Sequence, residues 1–281
     1  MFSQQDIQQI NSHGVSLEDV ENQMTLFQSG FPEIQVTEPC TIGKGIFKFS
    51  SSEENGFADY FDREAKSYRC LKFVPASGAA TRMFKHLYTH LHNPESLSDK
   101  EKKWVQEFEF GIENFAFYCH AELRKIIDSK GFTSRIEAVL SEKGLNYGNM
   151  PKALLKFHAY PEGKTATPIE EHFFEGHQHL PQDFASIHFT VSEQHISKIQ
   201  EYCDELTTWY KNNKNITIYV SISVQNKSTD TLAVNENNEP FRDDNGNLIF
   251  RPSGHGALLE NLNNIDADIV FIKNIDNVLK N

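Results

Sequence analysis

Four segments carry residues whose types and spacing suit phosphate chemistry. In Pro75-Ala76-Ser77-Gly78-Ala79-Ala80-Thr81-Arg82-Met83, small side chains precede a guanidinium. Small residues let backbone amides approach a phosphate, and successive amides at a helix N-terminus face an anion. Arg82 would neutralise charge developing on a pyrophosphate leaving group; the alternative is a tight turn with a surface arginine. Lys152, fixed just after Pro151, is a point charge suited to an α-phosphate or a sugar phosphate, or else a solvated surface lysine. Gly254-His255-Gly256 permits close packing of backbone against a flat base or a ribose, or forms a glycine-rich helix entry with an exposed histidine. Asp276, in Asn274-Ile275-Asp276-Asn277, follows an apolar run and could hold Mg²⁺, which takes one or two carboxylates plus phosphate oxygens. An Asx turn is the alternative there.

Those residues need elements to position them. Cys70-Leu71-Lys72-Phe73-Val74 is a short apolar strand, and Thr81 to Leu91 follows with helical spacing at Met83, Leu87 and Leu91. Strand, small-residue loop and helix open a βαβ unit. Residues 93–149 read as a helical insertion: a long helix from Asp99 through Phe108, Ile112, Phe115, Cys119, Leu123 and Ile126, then a helix capped by Ser134 with Glu137 and stopped near Gly144. The α/β pattern resumes with a strand from Ala185 to Val191, a helix capped by Ser192, and strict alternation from Ile216 to Val224. Thr229 to Phe250 reads as hairpins with an Asn245-Gly246 turn, followed by a short helix from His255 to Leu262 and a buried strand from Asp268 to Ile272. Upstream, Ser16 caps a helix through Val20 and Met24, Phe47 to Phe57 reads as a loop, and Asp59 to Tyr68 as a short helix. Residues 1–65 are expected to be an N-terminal helical extension and 66–281 an α/β domain.

Bulk properties narrow the function. A 38% hydrophobic and 23% charged composition is that of a folded globular chain, not a disordered one. The formal net charge of -12 excludes a general nucleic-acid binder, which needs a basic field. Anion binding then depends on local amides and a few cations. Cys40, Cys70, Cys119 and Cys203 are scattered, which argues against a zinc site or a disulfide framework. No apolar run reaches the roughly 18 residues that span a bilayer, and the N-terminus lacks a signal-peptide pattern. A reduced, cytoplasmic protein with no membrane partner is expected. His86 and His90 lack a third ligand, and His172, His177 and His179 among Glu170, Glu171 and Glu175 read as a solvated face.

In chain order, these segments resemble the motifs of the sugar nucleotidyltransferase superfamily, in its UDP-sugar pyrophosphorylase branch. The loop at 75–83 resembles the family's Leu-Ala-Gly-Gly-x-Gly-Thr-Arg-Met, with Ser77 and Ala80 where the family has glycine. Pro151-Lys152 is similar to the Pro-Lys element, and Thr167-Pro168-Ile169-Glu170 to the helix start after it. Thr190-Val191-Ser192-Glu193 resembles the Thr-Ser-Glu strand end, Pro252-Ser253-Gly254-His255-Gly256 the Pro-x-Gly-His-Gly motif, and Asn274-Ile275-Asp276-Asn277 the Asn-x-Asp-Asn metal motif. The set is also similar to uncharacterised bacterial proteins with these variant motifs. The resemblance implies a GT-A/Rossmann-like mixed sheet flanked by helices. It implies Arg82 and Lys152 as catalytic, and Ala76, Ser77, Gly78, Ala79, Ala80, Thr81, Gly254, His255 and Gly256 as nucleotide contacts. Asp276 is implied as the Mg²⁺ ligand. Family members continue past the metal motif, so the resemblance implies a chain truncated after Asn281. The expected activity joins a nucleoside triphosphate to a sugar 1-phosphate with release of pyrophosphate. The alternatives are a nucleotide- or sugar-nucleotide-binding module without turnover, and a helical interaction protein built on residues 93–149.

Overall fold

The computed structural model describes residues 2–78, 80, 83–119, 124–125, 127, 135–180 and 184–278, without the side chains of Cys119 and His255. The chain divides into two units, one of residues 1–67 with 225–265, the other of residues 68–224 with 266–281. Residues 225–265, read from the sequence as part of the α/β domain, cluster with the N-terminal residues.

In the first unit, α1 (Gln4–Ser12) and α2 (Leu17–Ser29) are capped by Ser3 and Ser16. The Ser3/Asp6 capping box is the signal for α1, which the sequence reading passed over. Ile10, Val15 and Val20 bury against Leu232 and Leu248, so the hairpin segment completes a core that the N-terminal helices could not build alone. Asp6 is 3% exposed and takes a bidentate pair from Arg242, at 2.7 and 3.0 Å. The Asn245-Gly246 turn forms as expected, with Gly246 at φ +80°. A correction concerns α3 (Ser51–Glu64): Ser50 and Glu53 form a capping box, so the helix begins inside the stretch read as a loop.

The second unit is built on four parallel strands, β1 (Cys70–Pro75), β2 (Phe184–Val191), β3 (Thr217–Val224) and β4 (Ile269–Ile272), in the order β4-β1-β2-β3. The fold is therefore α/β, with a parallel sheet flanked by helices, N-terminal helices and a helical insertion. The chain steps from β1 through β2 to β3 in one direction, then returns to lay β4 on the far side of β1. That reversal is a topological switch point, where loops leaving the two neighbouring strands diverge and open a crevice.

Helix α4 (Lys85–His92) follows β1, and α5 (Asp99–Phe110) opens the insertion behind a Ser98/Glu101 capping box. The long helix expected from Asp99 through Ile126 is not continuous. Gly111 ends α5, its amide bonding Glu107 O at 2.9 Å, and a 3-10 turn at Ile112–Asn114 and a short helix at Ala116–Cys119 follow. Glycine is poor in a helix interior, and the apolar spacing continued because Ile112 and Phe117 enter the same core as Val105 and Phe108. Leu123, Ile126 and Ser134 lie outside the described residues. The insertion core gathers these groups with Leu87, Ile136, Val139 and Leu155.

Helices α6 (Pro168–His179) and α7 (Ile196–Lys214) complete the unit. Ser192 makes no capping bond; a 3-10 turn at Glu193–His195 intervenes before α7. Gly176 lets α6 lie close on the sheet, since a Cβ there would meet Ile187 Cδ1 at 2.9 Å. Among the described residues, no helix is long and apolar enough to cross a membrane.

Candidate functional site

The loop after β1 starts inside the sheet. The Ala76 amide bonds Thr190 O at 2.8 Å, and Ala76 and Ala80 are buried, whereas Ser77 is half-buried and Gly78 exposed. Ser77 has no positive φ, so standing in place of glycine costs it no left-handed strain. Ala79, Thr81 and Arg82 lie outside the described residues. The helix expected from Thr81 is described from Lys85.

Lys152 sits on a 3-10 turn, Lys152–Leu154, that Pro151 introduces. Its amide bonds Gly78 O at 3.3 Å, which ties this turn to the loop after β1. Its ammonium lies 3.2 Å from Asp276 Oδ2, with side chains 27% and 51% exposed. Asp276 follows β4, and the backbone leading to it is stitched to β1: Lys273 N bonds Phe73 O at 3.1 Å and Ile275 N bonds Pro75 O at 3.2 Å. Gly78, Lys152 and Asp276 thus adjoin one another at the carboxyl edge between β1 and β4, at the switch point.

Gly254, His255 and Gly256 belong to the other unit, at the start of a 3-10 turn. A Cβ on Gly254 or Gly256 would meet nothing within 4 Å, so neither glycine is demanded by local packing.

Helix α6 braces the crevice with groups the sequence reading placed on a solvated face. His172 is 0% exposed, and its Nε2 lies 3.2 Å from both Asn274 O and Ile275 O. Nε2 faces two acceptors, so it carries the proton and donates. Nδ1 is buried with no hydrogen-bond partner among the described residues. Burial, then the nearby Lys72 charge, pull the imidazole down to about 3, so it is neutral at physiological pH. One turn on, Glu175 accepts from Lys72 Nζ at 2.8 Å and from Lys273 Nζ. Burial works to raise the Glu175 carboxyl, but the hydrogen bonds from the two lysines outweigh it and hold it at about 2. Burial takes Lys72 down to about 8, against the pull of Glu175. At neutral pH the cluster therefore holds two ammonium groups on one carboxylate.

Two signals could have exposed this cluster. Lys72 interrupts an apolar strand, and His172 shares the stripe Ile169, His172, Phe173, Gly176 at helical spacing.

For Mg²⁺, Asp276 offers one half-exposed carboxylate. Among the described residues no group of three or more His, Cys, Asp or Glu side chains is placed to hold a metal ion. That donor set fits a hard cation that keeps waters and takes its remaining ligands from phosphate oxygens. His86 Nδ1 lies 3.1 Å from Glu101 Oε1. A cavity of about 340 Å³ is lined by Met150, Leu154, Lys156, Thr167, Lys198, Glu201, Tyr202 and Glu205, and so shares the Lys152 turn; its size suits a small ligand.

No curated protein and no solved structure matches the chain. A family model described as "Domain of unknown function (DUF4301)" matches residues 3–281, and the chain belongs to that family.

Proposed function

We propose that the unit of residues 68–224 with 266–281 is a Mg²⁺-dependent nucleotidyltransferase, which joins a nucleoside triphosphate to a sugar 1-phosphate and releases pyrophosphate. The observation that carries this reading is the meeting of a small-residue loop, an ammonium and a carboxylate at one switch-point crevice.

On this reading the amides of Ala76 to Thr81 bind the triphosphate and Arg82 neutralises the leaving pyrophosphate. An oxygen of the sugar phosphate attacks the α-phosphorus in line, and the bond from that phosphorus to the bridging oxygen breaks. Lys152 stabilises the charge added at the α-phosphate. Asp276 would hold Mg²⁺, which when bound supplies further neutralisation of the phosphates. The acceptor phosphate is already ionised, so no side chain need remove a proton. In the free protein the Lys152 ammonium balances Asp276, and an entering phosphate would compete for it. The cavity beside the Lys152 turn offers room for a sugar, with two ammonium groups, two carboxylates and two hydroxyls among its lining. Gly254, His255 and Gly256 are proposed as nucleotide contacts on the resemblance alone. The free thiols of Cys40 and Cys203 suit a reducing, cytoplasmic compartment.

A second reading is a nucleotide-binding module without turnover. It is favoured by the pairing of Asp276 with an ammonium, with no group of three or more metal-ligating side chains among the described residues. Pyrophosphate release from a panel of nucleoside triphosphates and sugar 1-phosphates with Mg²⁺ separates the two. Sugar-dependent release supports the enzyme; nucleotide binding without release supports the module.

A further inference from the structure

Three chain segments bring residues to the crevice, and one helix touches all three. Near its N-terminus, α6 holds the segment after the Lys152 turn, through Glu170 and Lys156 Nζ at 2.9 Å. In its middle, the carbonyl of His172 accepts from Lys72 Nζ at 3.3 Å and Glu175 accepts from the same ammonium at 2.8 Å, which fixes β1. His172 Nε2 and the Glu175–Lys273 pair then fix the end of β4. These attachments come from Glu170, His172 and Glu175, within two turns of a rigid element whose glycine lets it sit close on the sheet.

The His172 contact is the most informative of them. A buried imidazole with one nitrogen unpartnered has an energetic cost that a plain apolar residue would avoid. What it provides is one donor shared between the carbonyls of Asn274 and Ile275, the two residues directly before Asp276. That stretch runs beyond β4, where backbone bonds from Lys273 and Ile275 tie it to β1, and the His172 donor adds a side-chain tie from the helix side directly before the carboxylate.

We propose that α6 is the template that sets the spacing of the crevice, and that His172 is a positioning residue for Asp276. The positional claim stands on the hydrogen bonds alone; its consequence for turnover rests on the nucleotidyltransferase reading.

The test compares His172→Phe, which keeps a ring but removes the donor, with His172→Gln, whose amide can donate from a similar place. The amides of Ile275 and Asn277, bonded to Pro75 O and Asn274 O, report on the segment by hydrogen exchange in the full-length protein. In His172→Phe both should exchange about tenfold faster or more, while β2 and β3 keep their protection, and His172→Gln should restore most of it. Nucleotidyl transfer by His172→Phe should lose about tenfold to a hundredfold in kcat with KM for the nucleotide little changed, since the contacts are present but misplaced. Unchanged exchange at Ile275 and Asn277, or acceleration spread equally over β2 and β3, would overturn the proposal. If His172→Phe does not fold, His172→Asn, too short to reach both carbonyls, is read in the same way. The exchange result decides the matter even where the wild type transfers no nucleotide, an outcome that removes the proposed activity alone.

Discussion

Lys152 and Asp276 face each other at 3.2 Å with side chains 27% and 51% exposed, so solvent screens their attraction and little folding energy depends on it. Lys152→Ala should change the unfolding free energy by less than about 1 kcal/mol, measured by urea denaturation. A larger loss would make the lysine a structural residue. His172 behaves oppositely, because it is enclosed. Its folded value of about 3 lies below the ordinary histidine value of 6.5, so the unfolded chain binds the proton more readily. The resulting stability is present above pH 6.5 and is lost as pH falls from there toward 3. By this linkage the wild type should lose about 2 kcal/mol between pH 7 and pH 5 from this one group. His172→Gln should flatten that interval; an equal loss in both proteins would show that another group titrates.

At the scale of elements, each strand of the sheet was legible, because its signal is local, but β4, read as buried, is an edge strand with Phe271 and Ile272 exposed. Cys70 to Val74 is a short apolar run bounded by Pro75, and Ile218, Val220 and Ile222 alternate with polar neighbours as a strand demands. The loop after β1, the Lys152 turn and Asp276 were likewise legible from residue type. Other features depended on context. The insertion kept helical spacing across Gly111 because Ile112 re-enters the same core after the helix has ended, so periodicity alone overran the break. The polar side of α6 looked solvated because its partners are remote: Lys72 lies 103 positions from Glu175, and Ile275 lies 103 from His172. Reach of that kind leaves no local pattern. Close packing gives a further check at this scale. A Cβ on Gly144 would stand 1.8 Å from Ala138 O, where the chain doubles back over the Arg135–Leu140 helix. Gly144→Ala should cost about 1–3 kcal/mol by chemical denaturation, since backbone cannot yield as a side chain does. A neutral result would mean that this return is loosely packed.

For the whole molecule, a net charge of -12 means that any anion site must be assembled locally. Lys72, Lys152 and Lys273, from three distant parts of the sequence, come to the β1–β4 crevice or directly beneath it. The first unit depends on a different long-range tie, that of Asp6 to Arg242, 236 positions apart. The Arg242 hydrogen bond, together with those from Ser3, outweighs burial and holds the Asp6 carboxyl far below its usual range. Its contribution is therefore present above the ordinary carboxylate value and fades as pH falls below it. Asp6→Asn should lower unfolding free energy by about 1.5–3 kcal/mol at neutral pH, and by less in acid. The central claim is that the crevice between β1 and β4 receives a nucleoside triphosphate. It is tested most directly by calorimetric titration of Mg²⁺–nucleoside triphosphates into the wild type and Lys152→Ala. Saturable one-site binding, weakened about tenfold or more by the substitution, is the predicted result. Binding of no nucleotide, or equal binding to both proteins, would contradict it.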